Sequence, residues 1–305
     1  MTGLFAVIHL GTVRHHPYAL PASRLAAGSD GSRSMNVHPT VTDRLLAAYF
    51  RRGFRGFHWL RRWSVRFGGS PLIRVRSRFG ALYDVNPTGY VEGFVLRYGF
   101  YEAEVFLALQ PYFGAGSVFW DIGSNLGLHA VAAKVVSPTT TVCAFEPVAE
   151  LHDCIRNHAQ LNGVELESHS IALAAATADS VLHVPPGGTS GRASLHPVCG
   201  IPDTVAVPVS CVRADDLIRA GRAPSPTAIK LDVEGAEPEV LDGFGDYLRE
   251  PRLRAIAFEG NPNLEATGGA DPVGSRLLQA GFSLRRLERL EPTHHLLENY
   301  LAYRP

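Results

Sequence analysis

The run Val118-Phe-Trp-Asp-Ile-Gly-Ser-Asn-Leu-Gly-Leu-His129 decides the fold. An apolar, β-rich segment reaches Asp121, turns on Gly123 and enters a helical pattern near Gly127. The same alternation recurs downstream. Strand-like Thr141–Glu146 precedes helical Glu150–Asn162, Thr227–Asp232 precedes Glu237–Arg249, and Ala255–Glu259 follows. Uninterrupted apolar strands alternating with helices predict an α/β fold, its parallel sheet covered on both faces. The last fifty residues add a helix over Arg276–Ala280 and strands over Phe282–Arg289 and Leu296–Tyr303. Pro292 splits those strands, which predicts an antiparallel hairpin at the sheet edge. Residues 185–208 hold five Pro and four Gly and break the rhythm, as a loop or edge hairpin of the kind that serves as a lid would.

Ligands of open α/β sheets bind at the carboxyl ends of strands, so the turn after Asp121 is a candidate site. Gly123 lets a ligand approach the backbone, and Gly127 lets the helix pack closely on the strand. A dinucleotide site would carry G-x-G-x-x-G to make room for pyrophosphate. Ser124 and Asn125 stand there instead, and Asp121 would repel a phosphate while suiting an ammonium group. Thr141-Val-Cys-Ala-Phe-Glu146-Pro147 ends in an acid 23 residues after Gly123. A carboxylate at that strand tip accepts hydrogen bonds from two ribose hydroxyls. A ribose plus a cationic amino-acid group without phosphate describes S-adenosylmethionine. Helix N-capping is the alternative for Asp121 and Glu146, since each precedes a helix.

The third element is Ala228-Ile-Lys-Leu-Asp-Val-Glu-Gly-Ala-Glu-Pro-Glu239. Within a strand Lys230 and Asp232 share one face. Charges inside a central strand are costly unless paired or functional, so they are expected to converge on the ligand. A purely structural pair, with Glu237 and Glu239 capping the next helix, is the competing account. Methyl transfer from a sulfonium needs alignment, and a base if the nucleophile is an alcohol; Lys230, Asp232, Glu234 and His129 are the candidates. We read Asp232 or Glu234 as base and substrate anchor and Lys230 as the group that orients a carboxylate. His129 reads as a first-turn helix residue. No histidine spacing suggests a metal.

These runs, with Tyr98-Gly-Phe-Tyr-Glu102, Asn157, Leu161-Asn-Gly163 and Ile229-Lys-Leu-Asp-Val-Glu-Gly-Ala-Glu237, resemble the FkbM family of S-adenosylmethionine-dependent methyltransferases. The likeness runs from about Asp84 to Tyr303. It implies a class I methyltransferase, Rossmann-like fold: a seven-stranded, mostly parallel sheet with an antiparallel edge hairpin. It also implies methyl transfer to a hydroxyl oxygen of a small molecule, sugar or glycan. By the resemblance Glu102, Asp121, Gly123, Ser124, Asn125, Gly127, Glu146 and Pro147 hold the cofactor. Asp121, Gly123 and Asn125 would take its methionine part and Glu146 its ribose, while Ile171 and Ala172 would flank its adenine. Ser124 stands where the family commonly has Ala, and His129 where an aromatic is frequent. A nicotinamide-dependent sugar enzyme is the runner-up, disfavoured by the absent G-x-G-x-x-G and Tyr-x-x-x-Lys patterns. A membrane-docked binding protein with a degenerate cofactor site is the third reading.

The chain has 305 residues, 46% apolar and 19% charged, with 29 basic and 29 acidic side chains. Disordered, collagen-like and coiled-coil classes are excluded, and no stretch reaches the roughly 18–20 apolar residues of a membrane span. The neutrality averages two opposed parts. Residues 1–100 carry 14 basic and 4 acidic side chains, and residues 101–305 carry 15 and 25. Residues 1–40 read as a disordered leader without a signal peptide, and Met35, where periodicity begins, is an alternative start. Residues 41–83 read as an Arg-rich, aromatic helical docking segment, ahead of the catalytic domain at 84–305. Through 41–79 it would contact either a membrane surface or the neighbouring domain. Nucleic acid is not expected, since no recognition motif accompanies the charge. The four cysteines form no C-x-x-C pair, which predicts a disulfide-free, cytoplasmic protein, peripheral to a membrane if the basic segment binds one.

Overall fold

The computed structural model describes residues 41, 44, 45, 47, 48 and 72–304, except 88, 185–194, 196–204, 263, 265–270 and 292–296. The expected leader, most of the docking segment, the tip of the Pro/Gly-rich loop and Cys199 lie outside the described residues. Among the described residues no helix is long and apolar enough to cross a membrane. Cys143, Cys154 and Cys211 are free and buried.

The chain opens its described part with a hairpin, β1 (Ile73–Arg76) and β2 (Leu82–Val85), followed by helices α1 (Tyr90–Tyr98) and α2 (Ala103–Leu109). Two crossovers follow: β3 (Val118–Ile122), α3 (Leu128–Val136), β4 (Thr141–Phe145), α4 (Ala149–Asn162) and β5 (Glu167–His169). Then come β6 (Ala172–Leu173), β7 (Ala178–Val184), β8 (Val205–Val212), α5 (Ala214–Arg219), β9 (Ala228–Leu231) and α6 (Glu237–Phe244). The chain ends in β10 (Ala255–Gly260), α7 (Pro272–Gln279), β11 (Ser283–Arg286) and β12 (Glu298–Tyr303). The main sheet has seven strands in the order β11-β12-β10-β9-β3-β4-β5. Only β12 runs antiparallel to its neighbours. This is the class I methyltransferase arrangement, with the edge hairpin where the sequence places it.

Every residue of β3 and β9 is buried, as a central strand covered on both faces requires. Val118, Trp120 and Ile122 point into the larger core with Leu217, Val240, Phe244 and Leu277 of α5, α6 and α7. The Trp120 ring lies 4.8 Å from Phe145 and 5.5 Å from Phe244, and its Nε1 donates to the Pro224 carbonyl at 3.0 Å. Phe119 and Asp121 point to the opposite face, toward α2 and α3. There Tyr83 of β2 donates to the Leu128 carbonyl at 2.7 Å and ties the hairpin to the first turn of α3.

Three boundaries differ from the sequence reading. Residues 73–83, expected as part of a helical segment, form most of the β1–β2 hairpin, where Arg74 grips Asp84 through two bonds of 2.8 and 2.7 Å. The expected domain boundary at 84 therefore falls inside β2. Its backbone is held by Asn162 and His158 of α4, so the hairpin belongs to the catalytic fold. Helix α7 begins at Pro272 rather than Arg276, because the Asp271 carboxylate caps it by accepting from Val273 and Gly274 at 2.9 and 3.0 Å. The Pro/Gly-rich stretch is the connection of a second sheet, ordered β6-β8-β7, in which β7 and β8 pair antiparallel. That sheet starts from Ala172, directly after the end of β5, and so walls one side of the strand tips.

The two motif glycines have nearly equal backbone angles, φ +75° at Gly123 and +76° at Gly127, but different surroundings. A Cβ at Gly123 would sit 1.7 Å from the Asp232 carbonyl oxygen, whereas at Gly127 it would meet the Ile155 side chain at 3.1 Å. Left-handed strain, about 1–2 kcal/mol for an alanine, is shared by both sites. The difference isolates the backbone clash. We expect Gly123→Ala to cost at least about 2 kcal/mol more than Gly127→Ala in denaturant unfolding. Equal losses would contradict the close approach of the β3 and β9 turns.

Candidate active site

The strand order reverses direction between β3 and β9, and their carboxyl ends open into a crevice there. Three residues with left-handed or glycine-type backbone shape it. Gly123 and Ser124 both donate to the Phe145 carbonyl, at 3.1 and 3.0 Å, which pulls the turn after β3 against β4. Asn125 follows at φ +52°, and its N–H donates to Glu146 Oε2 at 2.9 Å. On the other side Asp232 donates its N–H to the Ile122 carbonyl at 3.1 Å, and Glu234 turns at φ +53°. Glu237 holds that second turn by accepting from Val233 and Gly235, at 3.0 Å each through Oε1 and Oε2. The sequence reading treats Glu237 as a helix-end acid. The structure makes it the clamp of the loop that presents Asp232 and Glu234.

The crevice opens to solvent, and the space among its lining residues is about 660 Å³ with the open mouth included. Of the expected residues, Gly123, Asn125, Glu146, Pro147, Ile171, Ala172, Asp232 and Glu234 line it together. Leu151, Leu182 and Leu195 line its apolar end, and sequence reasoning missed them. Leu182 belongs to β7, so the second sheet supplies part of the wall. No clean alternation marks it in the sequence, since the neighbouring Val181 is apolar as well.

Asp121, Ser124, Gly127, Lys230 and Glu102 do not line the crevice; they form its floor and supports. Asp121 is 1% exposed and accepts from Ser124 Oγ at 2.8 Å and from the Ala130 N–H at 2.9 Å, both through Oδ2. It thus caps α3 as well as facing Lys230, its register partner on β9. Burial raises the Asp121 carboxyl above its ordinary range, against the pull of Lys230. Lys230 donates from Nζ to Asp232 Oδ2 at 2.8 Å. Burial alone would lower its ammonium, but Asp232, Asp121 and Glu102 outweigh that and hold it above its usual value. Glu102, at φ +55° on the N-terminal side of α2, is pushed well up by burial and by the Asp232 charge. It sits near the Asn299 amide, which donates to Glu104 Oε1 at 2.8 Å.

His129 is buried against Phe100 and Phe106, with ring centroids 5.1 and 6.2 Å away. Burial, aided by Lys230, pushes its imidazole well below the usual range. It is a neutral packing residue here, as its place in the first turn of α3 suggests. Glu146 is 5% exposed, and its carboxyl accepts from the Asn125 and Val148 N–H groups at 2.9 Å each. Burial still pushes it up to about 7.

At the tip of β3, two buried acceptors have no hydrogen-bond donor among the described residues: Asp121 Oδ1 and Asn125 Oδ1. Buried acceptors of this kind are costly unless a donor reaches them. An ammonium-bearing ligand would supply one. With the Glu146 acid at one end and the apolar wall beyond it, the residues present fit a ligand that joins an amino acid to an adenosine.

The chain is similar in sequence to known methyltransferases. The model of the methyltransferase FkbM domain matches residues 121–289, from Asp121 in β3 to just past β11. The hexuronic acid methyltransferase AglP of Haloferax volcanii is 27% identical over 155 residues, 51% of this chain and 58% of that protein. Methyltransferase 1 of Beauveria bassiana is 27% identical over 146 residues, covering 41% of this chain and 57% of that protein. The chain thus spans little more than half the length of the curated relatives it matches. Among solved structures, a tRNA (uracil-54, C5)-methyltransferase of Pyrococcus abyssi with bound S-adenosyl-L-homocysteine aligns at TM-score 0.43 and 13% identity. That alignment covers 77% of this chain and 44% of that one. The strand order, the acids at the strand tips and the family match over more than half the sequence lead to one assignment: the chain belongs to the FkbM methyltransferase family.

Proposed function

We propose that the protein transfers the methyl group of S-adenosylmethionine to a hydroxyl oxygen of a sugar or related small molecule. One observation carries the reading. The cofactor-type acid Glu146 and the carboxylates Asp232 and Glu234 open into the same crevice, from opposite sides of the β3–β9 switch point. The name of the Haloferax relative, a methyltransferase acting on hexuronic acid, favours a carbohydrate acceptor.

When bound, S-adenosylmethionine would supply an electrophilic methyl on a positively charged sulfur. The chain's own residues would do the rest. Asp121 and Asn125 would take the ammonium with their unpartnered oxygens, and Glu146 would accept from the ribose hydroxyls. Asp232 is held by Lys230 through Oδ2, and its Oδ1 would accept the proton of the acceptor hydroxyl as that oxygen bonds to the methyl carbon, the S–CH3 bond breaking with its electron pair left on sulfur. Glu234, on the exposed turn beside it, anchors the acceptor. A sugar hydroxyl keeps its proton at neutral pH, so a positioned base contributes about 10²–10⁴-fold.

Asp232→Asn should therefore lower kcat by about 10²-fold or more while S-adenosylhomocysteine affinity stays within a few-fold. Steady-state turnover paired with calorimetry checks this, and full turnover of the variant would remove Asp232 as base.

The Glu146 carboxyl sets a pH dependence on cofactor binding. Its value is raised to about 7, and ribose hydroxyls donate to the ionised form, so binding favours deprotonation. Affinity for S-adenosylhomocysteine should be full near pH 8. It should fall as pH drops through 7, approaching about tenfold per unit below that. Glu146→Gln should bind weakly at pH 8 and lose the slope. A wild-type affinity that is flat between pH 8 and 6 would contradict the assignment.

A further inference from the structure

Beyond the cofactor crevice the strand tips carry a second row of chemistry. Leu231 of β9 pairs with Phe258 of β10, so Asp232 and Glu259 stand side by side one residue further on. Glu259 in turn faces Asn299 of β12. The row lies on the α2 side of the sheet, the side of Asp121 and Lys230. Arg289 reaches it from the end of the edge hairpin, with Nη2 at 3.6 Å from Glu259 Oε1 and a bond to the Leu297 carbonyl at 2.6 Å. Its other terminal nitrogen, Nη1, is buried and has no hydrogen-bond partner among the described residues. The side chains of Asp232, Glu259 and Arg289 keep 26%, 18% and 15% of their surface open, so the row is sheltered but accessible.

An aromatic wall stands beside it. Tyr90 and Phe94 lie one helical turn apart on α1, with ring centroids 5.2 Å apart. Tyr101 joins them at 6.1 Å from Tyr90 and 5.4 Å from Phe94. Tyr90 is 49% exposed. Burial and the charges of Glu102, Asp232 and Glu259 push the Tyr101 phenol above its usual range, so it stays a protonated donor beside those carboxyls. Burial and the Asp232 charge likewise push Glu259 up to about 7.

Two adjacent carboxyls, a guanidinium with a free donor and an aromatic face are the groups that bind a polyhydroxylated ring. The hydroxyl edge needs alternating acceptors and donors, and the C–H face of the ring packs on aromatic carbon. We propose that Glu259, Arg289 and Tyr101, with Asp232, form the acceptor subsite, and that it takes a pyranose ring presenting two neighbouring hydroxyls. Asp232 and Glu259 each accept from one hydroxyl, Arg289 donates to a ring substituent, and Tyr101, Phe94 and Tyr90 cover one ring face. This rests on the methyl-transfer reading above.

The test uses the full chain with saturating S-adenosylhomocysteine and four probes: methyl α-D-glucopyranoside, methyl α-D-mannopyranoside, methyl β-D-glucuronide and catechol. Binding is read by saturation-transfer difference NMR. Turnover with S-adenosylmethionine is read by mass spectrometry of the methylated product. At least one glycoside should bind and accept a methyl group, and catechol should not. Glu259→Gln and Tyr101→Leu should each raise the glycoside KM by about tenfold or more, with S-adenosylhomocysteine affinity kept within about twofold as the control for folding. A chain that binds S-adenosylhomocysteine but no glycoside, that prefers catechol, or whose two variants keep the wild-type KM overturns this proposal alone. A chain that binds no S-adenosylhomocysteine removes the methyl-transfer reading and this subsite with it.

Discussion

Lys230 carries its ammonium in the interior of a parallel sheet, 5% exposed, and the carboxyl edge of that sheet is organised around it. A buried charge of this kind is tolerated only if opposite charges and hydrogen bonds surround it. Asp232 supplies the direct bond at 2.8 Å, while Asp121 across the register and Glu102 from α2 supply the field. Each of those acids begins or ends a segment that shapes the crevice. Asp121 caps α3, Asp232 opens the loop clamped by Glu237, and Glu102 starts α2. Removing the ammonium would leave carboxyls facing one another in a low-dielectric interior, and several turns would have to move at once. The ion pair that a purely structural account would assign to Lys230 and Asp232 is present. Asp232 also lines the crevice, so the ion pair does not withdraw it from the site.

The same charge arrangement divides the crevice into zones. Near β3 and β4 are acceptors that lack donors and an acid at the tip of each strand. Near β9 and β10 are carboxyls with a guanidinium and aromatic rings. The end between β4 and the second sheet is lined by the apolar Leu151, Leu182 and Leu195. A ligand with an ammonium, a ribose and an aromatic base matches the first and last zones in order. The zone near β9 and β10, on the other side of β3, is left for the proposed methyl acceptor. The acidic excess of residues 101–305 is thus not spread evenly but concentrated in part at these strand tips.

Much of this was readable from residue order, for identifiable reasons. Asp121 and Glu146 each close an all-apolar strand before a glycine or proline turn, and such a pattern has few purely structural uses. Glu259 carries the same signal at the end of β10. Gly260 and Pro262 follow it, yet the sequence reading takes Ala255–Glu259 only as a strand. The β1–β2 hairpin was hidden by composition: Ile-Arg-Val-Arg alternates with period 2, as a half-buried strand should, but it sits at the end of an Arg-rich run whose earlier part has helical spacing. Helix α7 starts four residues before Arg276, at an Asp271-Pro272 cap that the sequence reading does not consider. The second sheet was hidden by its exposure. Most β7 residues face solvent, so neither apolar continuity nor clean alternation marks the strand.

The central claim is that this crevice is shaped for an adenosyl amino acid rather than for a pyrophosphate-bearing dinucleotide. Side-by-side calorimetric titration of the full chain with S-adenosylmethionine and with NADH tests it most directly. The account predicts saturable binding of one S-adenosylmethionine per chain, in the range of about 1–100 μM, and no heat of binding from NADH. Binding of NADH with equal or greater affinity, or no binding of S-adenosylmethionine, would contradict it.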